Sequence, residues 1–281
     1  MNILINYRLF EIVFMDKQLN ITNLFDLQGK IAFIIGGSSG IGYSLGKALA
    51  LAGATIVFNG QSQTKIENAI EAYKNIGIIA HGYVCNVRDE QDVIETVKKI
   101  NNEVGVIDIL VNNAAIIKRI PMLEISSSEF REVIDVDLCG PFIVSKVVIP
   151  GMMKKGGGKI MNICSMMSEL GRESVSAYAS AKGGLKMLTK NIASEYGQYN
   201  IQCNGLGPGY IATHQTEPLR ANGHPFNSFI LAKTPAARWG TPEDLEGPTL
   251  FLASAASNFV NGHILYVDGG ILAYIGRQST T

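Results

Sequence analysis

Cysteine is scarce in this chain, and what there is lies apart. Cys85, Cys139, Cys164 and Cys203 form no Cys-x-x-Cys pair and have no histidine nearby at ligand spacing. Reduced thiols are the expected state, and any alcohol or carbonyl chemistry is expected to run without a metal. Charge of one sign is missing as well: 24 basic and 24 acidic residues cancel, and no basic cluster exceeds two adjacent residues. That balance excludes the dense positive field through which proteins hold nucleic acid or acidic membranes. Repeats, low-complexity stretches and a composition-marked linker are also lacking, so the 281 residues read as one domain. Residues 1–14 are apolar but carry Arg8 and Glu11, and they lack the basic start and small-residue cleavage site of a signal peptide. A cytoplasmic protein is the expectation.

What is present is a regular alternation. Apolar, β-branched runs at Ile31–Ile35, Thr55–Asn59, Ile78–Cys85, Ile107–Val111, Gly158–Cys164, Ile201–Gly205 and His263–Val267 predict strands. Between them, helical patterns cover Ile41–Ala52, Thr64–Asn75, Glu90–Glu103, Ser127–Lys154 (interrupted near Pro141) and Ser176–Tyr199. With 47% hydrophobic residues there is enough apolar surface to cover a sheet on both faces. The pattern predicts a single-domain α/β protein, a Rossmann-type doubly wound parallel sheet of about seven strands flanked by helices. From Ile211 to Arg238 it lapses into Pro, Gly, His and Asn. A loop this long in a compact domain is usually functional, and a substrate-covering lid over 211–238 is expected.

Two local motifs carry chemistry. The first predicted strand breaks into Gly36-Gly-Ser38-Ser39-Gly40-Ile41-Gly42 and then opens a helix. Glycines there let backbone amides and a helix N-terminus approach a pyrophosphate, although the spacing is Gly-x-x-x-Gly-x-Gly rather than the commoner dinucleotide fingerprint. The second motif places Lys182 four residues after Tyr178, about one helical turn, with Ser165 thirteen residues before the tyrosine at a strand end. A phenol is a poor base at neutral pH, and a neighbouring ammonium favours its ionised form. Ser165 can hydrogen-bond the oxygen that the tyrosine protonates or deprotonates.

With these residues the chain resembles the short-chain dehydrogenase/reductase family. Asn112-Asn113-Ala114, Gly207-Pro208-Gly209 and Val267-Asp268-Gly269-Gly270 extend the likeness from about Leu27 to about Tyr274. It looks closer still to the branch of gluconate 5-dehydrogenases and deoxygluconate dehydrogenases, through Asn162-Ile-Cys-Ser-Met-Met-Ser-Glu-Leu-Gly-Arg172, Thr234-Pro-Ala-Ala-Arg-Trp-Gly240 and Phe259-Val-Asn-Gly-His263. The resembling enzymes begin shortly before Leu27. This implies an N-terminal extension over 1–26, with 1–14 a translation artefact or disordered arm before a start at Met15, and a dinucleotide-binding domain over 27–281.

The resemblance implies hydride transfer between NAD or NADP and a secondary alcohol. Tyr178 would be the acid/base, Ser165 the holder of the reacting oxygen, Lys182 the partner of both tyrosine and nicotinamide ribose, and Asp137 would complete the catalytic set. The cofactor would contact Gly36, Ser38, Ser39, Gly40, Ile41, Gly42, Gly60, Asn86, Val87, Asn113, Ala114, Ala115, Pro208, Gly209, Ile211 and Thr213, besides Tyr178 and Lys182. Three positions depart from the family pattern. Ile35 stands for a turn-bracing Thr, Ala115 for a Gly, and Asp137 for the Asn that holds a relay water. Gly60, eighteen residues beyond Gly42, lies where an Asp would favour NAD, so either cofactor is open.

For the substrate, Arg119 and Arg172 are expected to face the mouth of the site and grip a sugar-acid carboxylate, which arginine pairs with bidentately; Glu169 and His214 are candidate hydroxyl contacts. The expected reaction interconverts D-gluconate and 5-keto-D-gluconate. The alternatives are a 2-deoxygluconate 3-dehydrogenase or 3-deoxy-ketogluconate reductase, a reductase of another polar ketone or acyl-thioester, or a catalytically weak dinucleotide-binding subunit. A homotetramer is expected from the family and from apolar helix surface such as Val144-Ser-Lys-Val-Val-Ile149.

Overall fold

A computed structural model describes residues 21–221 and 223–276; the expected arm at 1–14 lies outside the described residues. Among the described residues seven strands form one sheet: β1 Ile31–Ile35, β2 Thr55–Gly60, β3 Ala80–Val84, β4 Ile109–Asn112, β5 Gly158–Ile163, β6 Ile201–Pro208 and β7 Ile264–Val267. Every pairing is parallel, in the order β3-β2-β1-β4-β5-β6-β7. The eight α-helices among the described residues are α1 Gly40–Leu51, α2 Gln63–Asn75, α3 Glu90–Glu103, α4 Ser127–Ile134, α5 Gly140–Lys155, α6 Ser176–Tyr196, α7 Pro225–Lys233 and α8 Glu246–Ala253.

Successive strand side chains point to opposite faces, and β1 shows the consequence. Ile34 joins Leu45, Leu49, Ile56, Phe58 and Tyr73 in one buried cluster, facing α1 and α2. Phe33 and Ile35 join Val57, Val97, Ile100, Val148 and Ile192 in the other, facing α3, α5 and α6. Both faces are covered, so the strands read as continuous apolar runs rather than alternating ones. The strand order reverses between β1 and β4, and the carboxyl ends that meet there (Ile35 opposite Asn112) open the crevice in which such sheets bind ligands.

Three expectations are refined. The third strand begins at Ala80, because the Ile78 amide turns back to Tyr73 O at 2.9 Å and finishes α2. The interruption expected near Pro141 within Ser127–Lys154 is a π turn at Asp135–Cys139, which joins two helices. The break precedes Pro141, the second residue of α5, which has no N–H to donate back to the turn before it. The stretch 211–238 is no open loop: a 3₁₀ segment at His214–Arg220 precedes α7, and Tyr210, Phe226 and Trp239 pack ring against ring. Aromatic burial between residues far apart in sequence orders a segment whose local composition reads as irregular.

Candidate active site

The β1–α1 turn is held from three sides. Gly36 has φ +74°, a conformation glycine adopts freely. Its amide donates to Asn59 Oδ1 at 2.7 Å, and Asn59 Nδ2 donates to Cys85 O at 3.0 Å, so one buried amide ties the turn to the ends of β2 and β3. Just after β4, Asn113 Nδ2 donates to Ile35 O at 3.3 Å and Gly36 O at 3.0 Å. These bonds brace the turn without a side-chain hydroxyl at Ile35. A Cβ on Gly42 would overlap the Gly36 carbonyl oxygen and come 2.5 Å from Asn113 Nδ2, so glycine is required. Ser39, the N-cap of α1, makes no side-chain cap, which leaves the first amides of that helix available to an anion. The turn fits a dinucleotide pyrophosphate.

Gly60 closes β2 beside this turn, with Ser38 Cβ 3.9 Å from where its own Cβ would lie. No acidic side chain occupies Gly60 or the two residues that follow. Asn86 follows β3, where its Oδ1 accepts from the Arg88 amide at 3.2 Å and Val87 is buried against the core. Ala114 packs under Gly36, while Ala115 is exposed. At the other side, Pro208 ends β6, and Gly209 lies so close to Asp268 that a Cβ would be 2.7 Å from its Cα. Ile211 is buried and bridges to Gly240, and the Thr213 carbonyl receives Arg220 Nη2 at 3.0 Å. The cofactor residues expected from the sequence thus line the carboxyl ends of successive strands.

Ser165 leaves β5 in extended conformation and its Oγ accepts the Met167 amide at 3.1 Å, so its O–H remains a donor. Tyr178, on the first turn of α6, packs with Met166 and Met167 and so sits against the Ser165 segment. Lys182 is one turn further on and 2% exposed. Its ammonium donates to Ile163 O at 2.9 Å, lies 5.5 Å from the centre of the Tyr178 ring, and stands 3.8 Å from Asp137 Oδ2. Asp137 projects from the π turn and has no exposed surface; its Oδ1 accepts the Ile116 amide at 2.8 Å. Burial pushes its carboxyl up to about 6, against the pull of Lys182 and of the Ile116 N–H. The Ser165 segment is clamped to α6 by Ser168, whose Oγ donates to Lys182 O at 2.9 Å.

Arg119 and Arg172, which come from different loops, act on one another. Arg119 is an exposed residue, and its guanidinium lies below its ordinary value through desolvation by its surroundings and then through the like charge of Arg172, with Tyr178 and Tyr210 pulling the other way. Arg172 stacks 4.9 Å over the Phe226 ring, and its buried Nε has no hydrogen-bond partner in the protein. Buried donors are normally satisfied, and the protein supplies no partner for this one. Tyr210 lies in the field of both: burial raises its phenol, while Arg172 and Arg119 pull it down. Sequence reasoning missed Asn59, Tyr210 and Phe226. Tyr210 had a signal in its Gly207-Pro-Gly context, whereas the reach of Phe226 to Arg172 has none. Glu169 and His214 are not part of this group. Glu169 is taken by Lys186 and Tyr266, and His214 is fully exposed beside Glu217.

Residues 36–272 match the family model described as enoyl-(acyl carrier protein) reductase. The chain is 60% identical over 258 residues to 2-dehydro-3-deoxy-D-gluconate 5-dehydrogenase of Formosa agariphila, covering 92% of this chain and 98% of the relative. Among solved structures, 2-keto-3-deoxy-D-gluconate dehydrogenase from Streptococcus agalactiae is 66% identical with a TM-score of 0.81, covering 93% of this chain and all of that one. Gluconate 5-dehydrogenase from Burkholderia cenocepacia, solved with NADP and tartrate, is 39% identical with a TM-score of 0.87, covering 91% and 100%. The glycine turn, the Ser165, Tyr178 and Lys182 cluster and these likenesses agree: the chain belongs to the short-chain dehydrogenase/reductase family.

Proposed function

We propose that this protein is an NAD(P)-dependent oxidoreductase acting on the C5 secondary alcohol or ketone of a six-carbon sugar acid. The favoured pair is 2-dehydro-3-deoxy-D-gluconate and its 5-keto form, with D-gluconate and 5-keto-D-gluconate second. One observation carries the substrate class: the Arg172 Nε is buried without a partner in the protein, and Arg119 lies within electrostatic reach of Arg172, Tyr178 and Tyr210. Two guanidiniums and a phenol there suit a carboxylate and its neighbouring hydroxyls. The relatives with 60% and 66% identity favour the deoxy acid.

The nicotinamide cofactor, when bound, accepts or delivers the hydride. Everything else falls to the chain. The carboxylate sits on the arginines, so the reacting carbon is held at a set distance from Tyr178. Ser165 donates to the reacting oxygen. Tyr178 removes the hydroxyl proton in oxidation and returns it in reduction, a contribution of about 10²–10⁴-fold. The Lys182 ammonium attracts the negative charge that Tyr178 carries as base. Phe226 and Trp239, in and beside the segment 211–238, close over the acid and keep water out, which gives that segment the role of a lid. The selectivity between NAD and NADP is relaxed, since no carboxylate at the end of β2 rejects a 2′-phosphate.

No helix among the described residues is long and apolar enough to cross a membrane, and a cytoplasmic location fits this metabolism. Phe142 on α5 and Met187 on α6 leave half their surface exposed (50% and 54%) and offer an apolar face for assembly into a homotetramer.

The test follows reduced-nicotinamide absorbance with each cofactor against the 5-keto acids, gluconate, the deoxy acids and the corresponding neutral polyols. Turnover of the acids but not the polyols, lost in Tyr178→Phe with cofactor binding intact, is expected. Equal turnover of acid and polyol would refute the arginine receptor. Cofactor binding with no turnover of any of them would point to a dinucleotide-binding subunit instead.

A further inference from the structure

Three arginines beside the site are held in different ways. Arg238 is clamped by both oxygens of Asp244 at 2.6 and 2.9 Å, and Arg220 donates to the Thr213 carbonyl at 3.0 Å. Arg172 has no such partner. Among the described residues no carboxylate pairs with it, and its buried Nε makes no hydrogen bond. Arg119 repels it. The loops that carry the two are tied together, the Ile120 amide donating to Ser174 O at 2.9 Å, so the like charges stay within reach of one another.

What faces the Arg172 guanidinium instead is a ring, with its Cζ 4.9 Å from the centre of Phe226. A guanidinium over an aromatic face is attracted by the ring quadrupole, more strongly where water is excluded. The ring is fixed by others. Phe226 lies in the first turn of α7, edge-on to Tyr210 at 5.5 Å, with Phe229 at 6.2 Å and Trp239 at 6.4 Å. Trp239 Nε1 donates to Asn227 Oδ1 at 2.7 Å, which ties that indole back to α7. The face presented to Arg172 therefore belongs to the segment 211–238, not to the loop that carries the arginine.

We propose that Phe226 is the positioning residue for Arg172, so that the grip on a substrate carboxylate forms only while the segment 211–238 is packed down. The inference deepens the oxidoreductase reading above and rests on it. Without the ring, repulsion from Arg119 turns the Arg172 guanidinium towards water; with it, both arginines are presented to one anion. The coupling is reciprocal. A carboxylate that pairs with Arg172 keeps the guanidinium over Phe226 and so stabilises the closed segment, while a neutral polyol of the same length gains nothing from the stack. Phe226 thus sets selectivity for acids, acting on their charge through Arg172.

Two variants separate the π face from mere bulk. Phe226→Leu removes the face and keeps an apolar side chain, whereas Phe226→Tyr keeps it. With saturating NADP and 2-dehydro-3-deoxy-D-gluconate as the probe, KM should rise about tenfold in Phe226→Leu, the loss falling chiefly on KM rather than kcat. Phe226→Tyr should restore it. Tenfold is about 1.4 kcal/mol, the size of a partly desolvated cation–π contact. In the Arg172→Met background, Phe226→Leu should raise KM further by no more than about twofold, because the interaction it removes is already gone. A ring that only fills space would cost as much in either background. Trp239 is the single tryptophan of the chain and adds an optical reading. In Tyr178→Phe protein loaded with NADP, the same acid should shift Trp239 emission, and the shift should vanish when Arg172→Met is added. An unchanged KM in Phe226→Leu overturns the proposal, as do equal increments in the two backgrounds, no emission shift in the parent, or a shift that persists with Arg172→Met. Each of these leaves the oxidoreductase reading standing while the wild type turns over the acid; no turnover of any sugar acid removes both.

Discussion

At the scale of single residues, one of the three positions that depart from the family pattern, Asp137, is a fully buried carboxyl with one oxygen unpartnered. Its carboxyl titrates near 6 in the folded chain against an ordinary 3.8. A raised folded value means the folded state binds the proton more tightly than the unfolded one. Stability from this group is therefore fully present below about pH 4 and lost as pH rises through 6. The shift corresponds to about 3 kcal/mol. Denaturant melts of wild type and Asp137→Asn across pH 4 to 7 should show the wild type losing roughly that amount relative to the variant, since other groups cancel in the difference. A difference that stays flat with pH would mean the carboxyl titrates normally.

At the scale of elements, glycine has opposite consequences in two helices. In α1, Gly42 faces the Gly36 carbonyl with no room for a methyl group. Gly42→Ala is expected to push the β1–α1 turn open and abolish dinucleotide binding, measurable by calorimetric titration with NADP. In α6, the site of Gly183 has open space where a Cβ would stand, and the residue lies mid-helix. Gly183→Ala should raise stability by about 0.5–1 kcal/mol, because glycine costs a helix interior that much. A Gly42→Ala protein that binds NADP normally would count against the turn as the pyrophosphate site. The π turn before α5 belongs to this scale too. Nothing in the sequence pattern distinguishes it from a helix running on to Pro141.

At the scale of the whole molecule, a buried polar chain joins the elements that carry the site. Asn112 Nδ2, on β4, donates to Ser145 Oγ of α5 at 3.1 Å and to Asn162 Oδ1 of β5 at 2.8 Å. Asn162 Nδ2 passes the chain to Thr189 Oγ1 of α6 at 2.9 Å, and Thr189 donates to Leu185 O at 2.8 Å. All four side chains are essentially buried, so breaking the chain strands donors and acceptors away from water. Asn162→Ala should cost roughly 2–4 kcal/mol in a denaturant melt. A loss below about 1 kcal/mol would mean that water replaces the missing amide.

The sheet, its alternation of strands and helices, the glycine turn and the Ser165, Tyr178 and Lys182 set are legible in the sequence itself, because each is written in short-range terms. A strand between two helix layers is a run of apolar residues, a turn needs glycine within a few positions, and Tyr178 and Lys182 meet across a single helical turn. The remainder depends on contacts between residues distant in the chain. Asn59 braces Gly36 across 23 positions, Arg172 meets Phe226 and shares its field with Arg119, and Asp137 meets Lys182 from a turn whose burial no local pattern encodes. Desolvation is a property of everything packed around a group. The charge state of Asp137 and the unmet donor of Arg172 therefore come into being only when the chain closes around them.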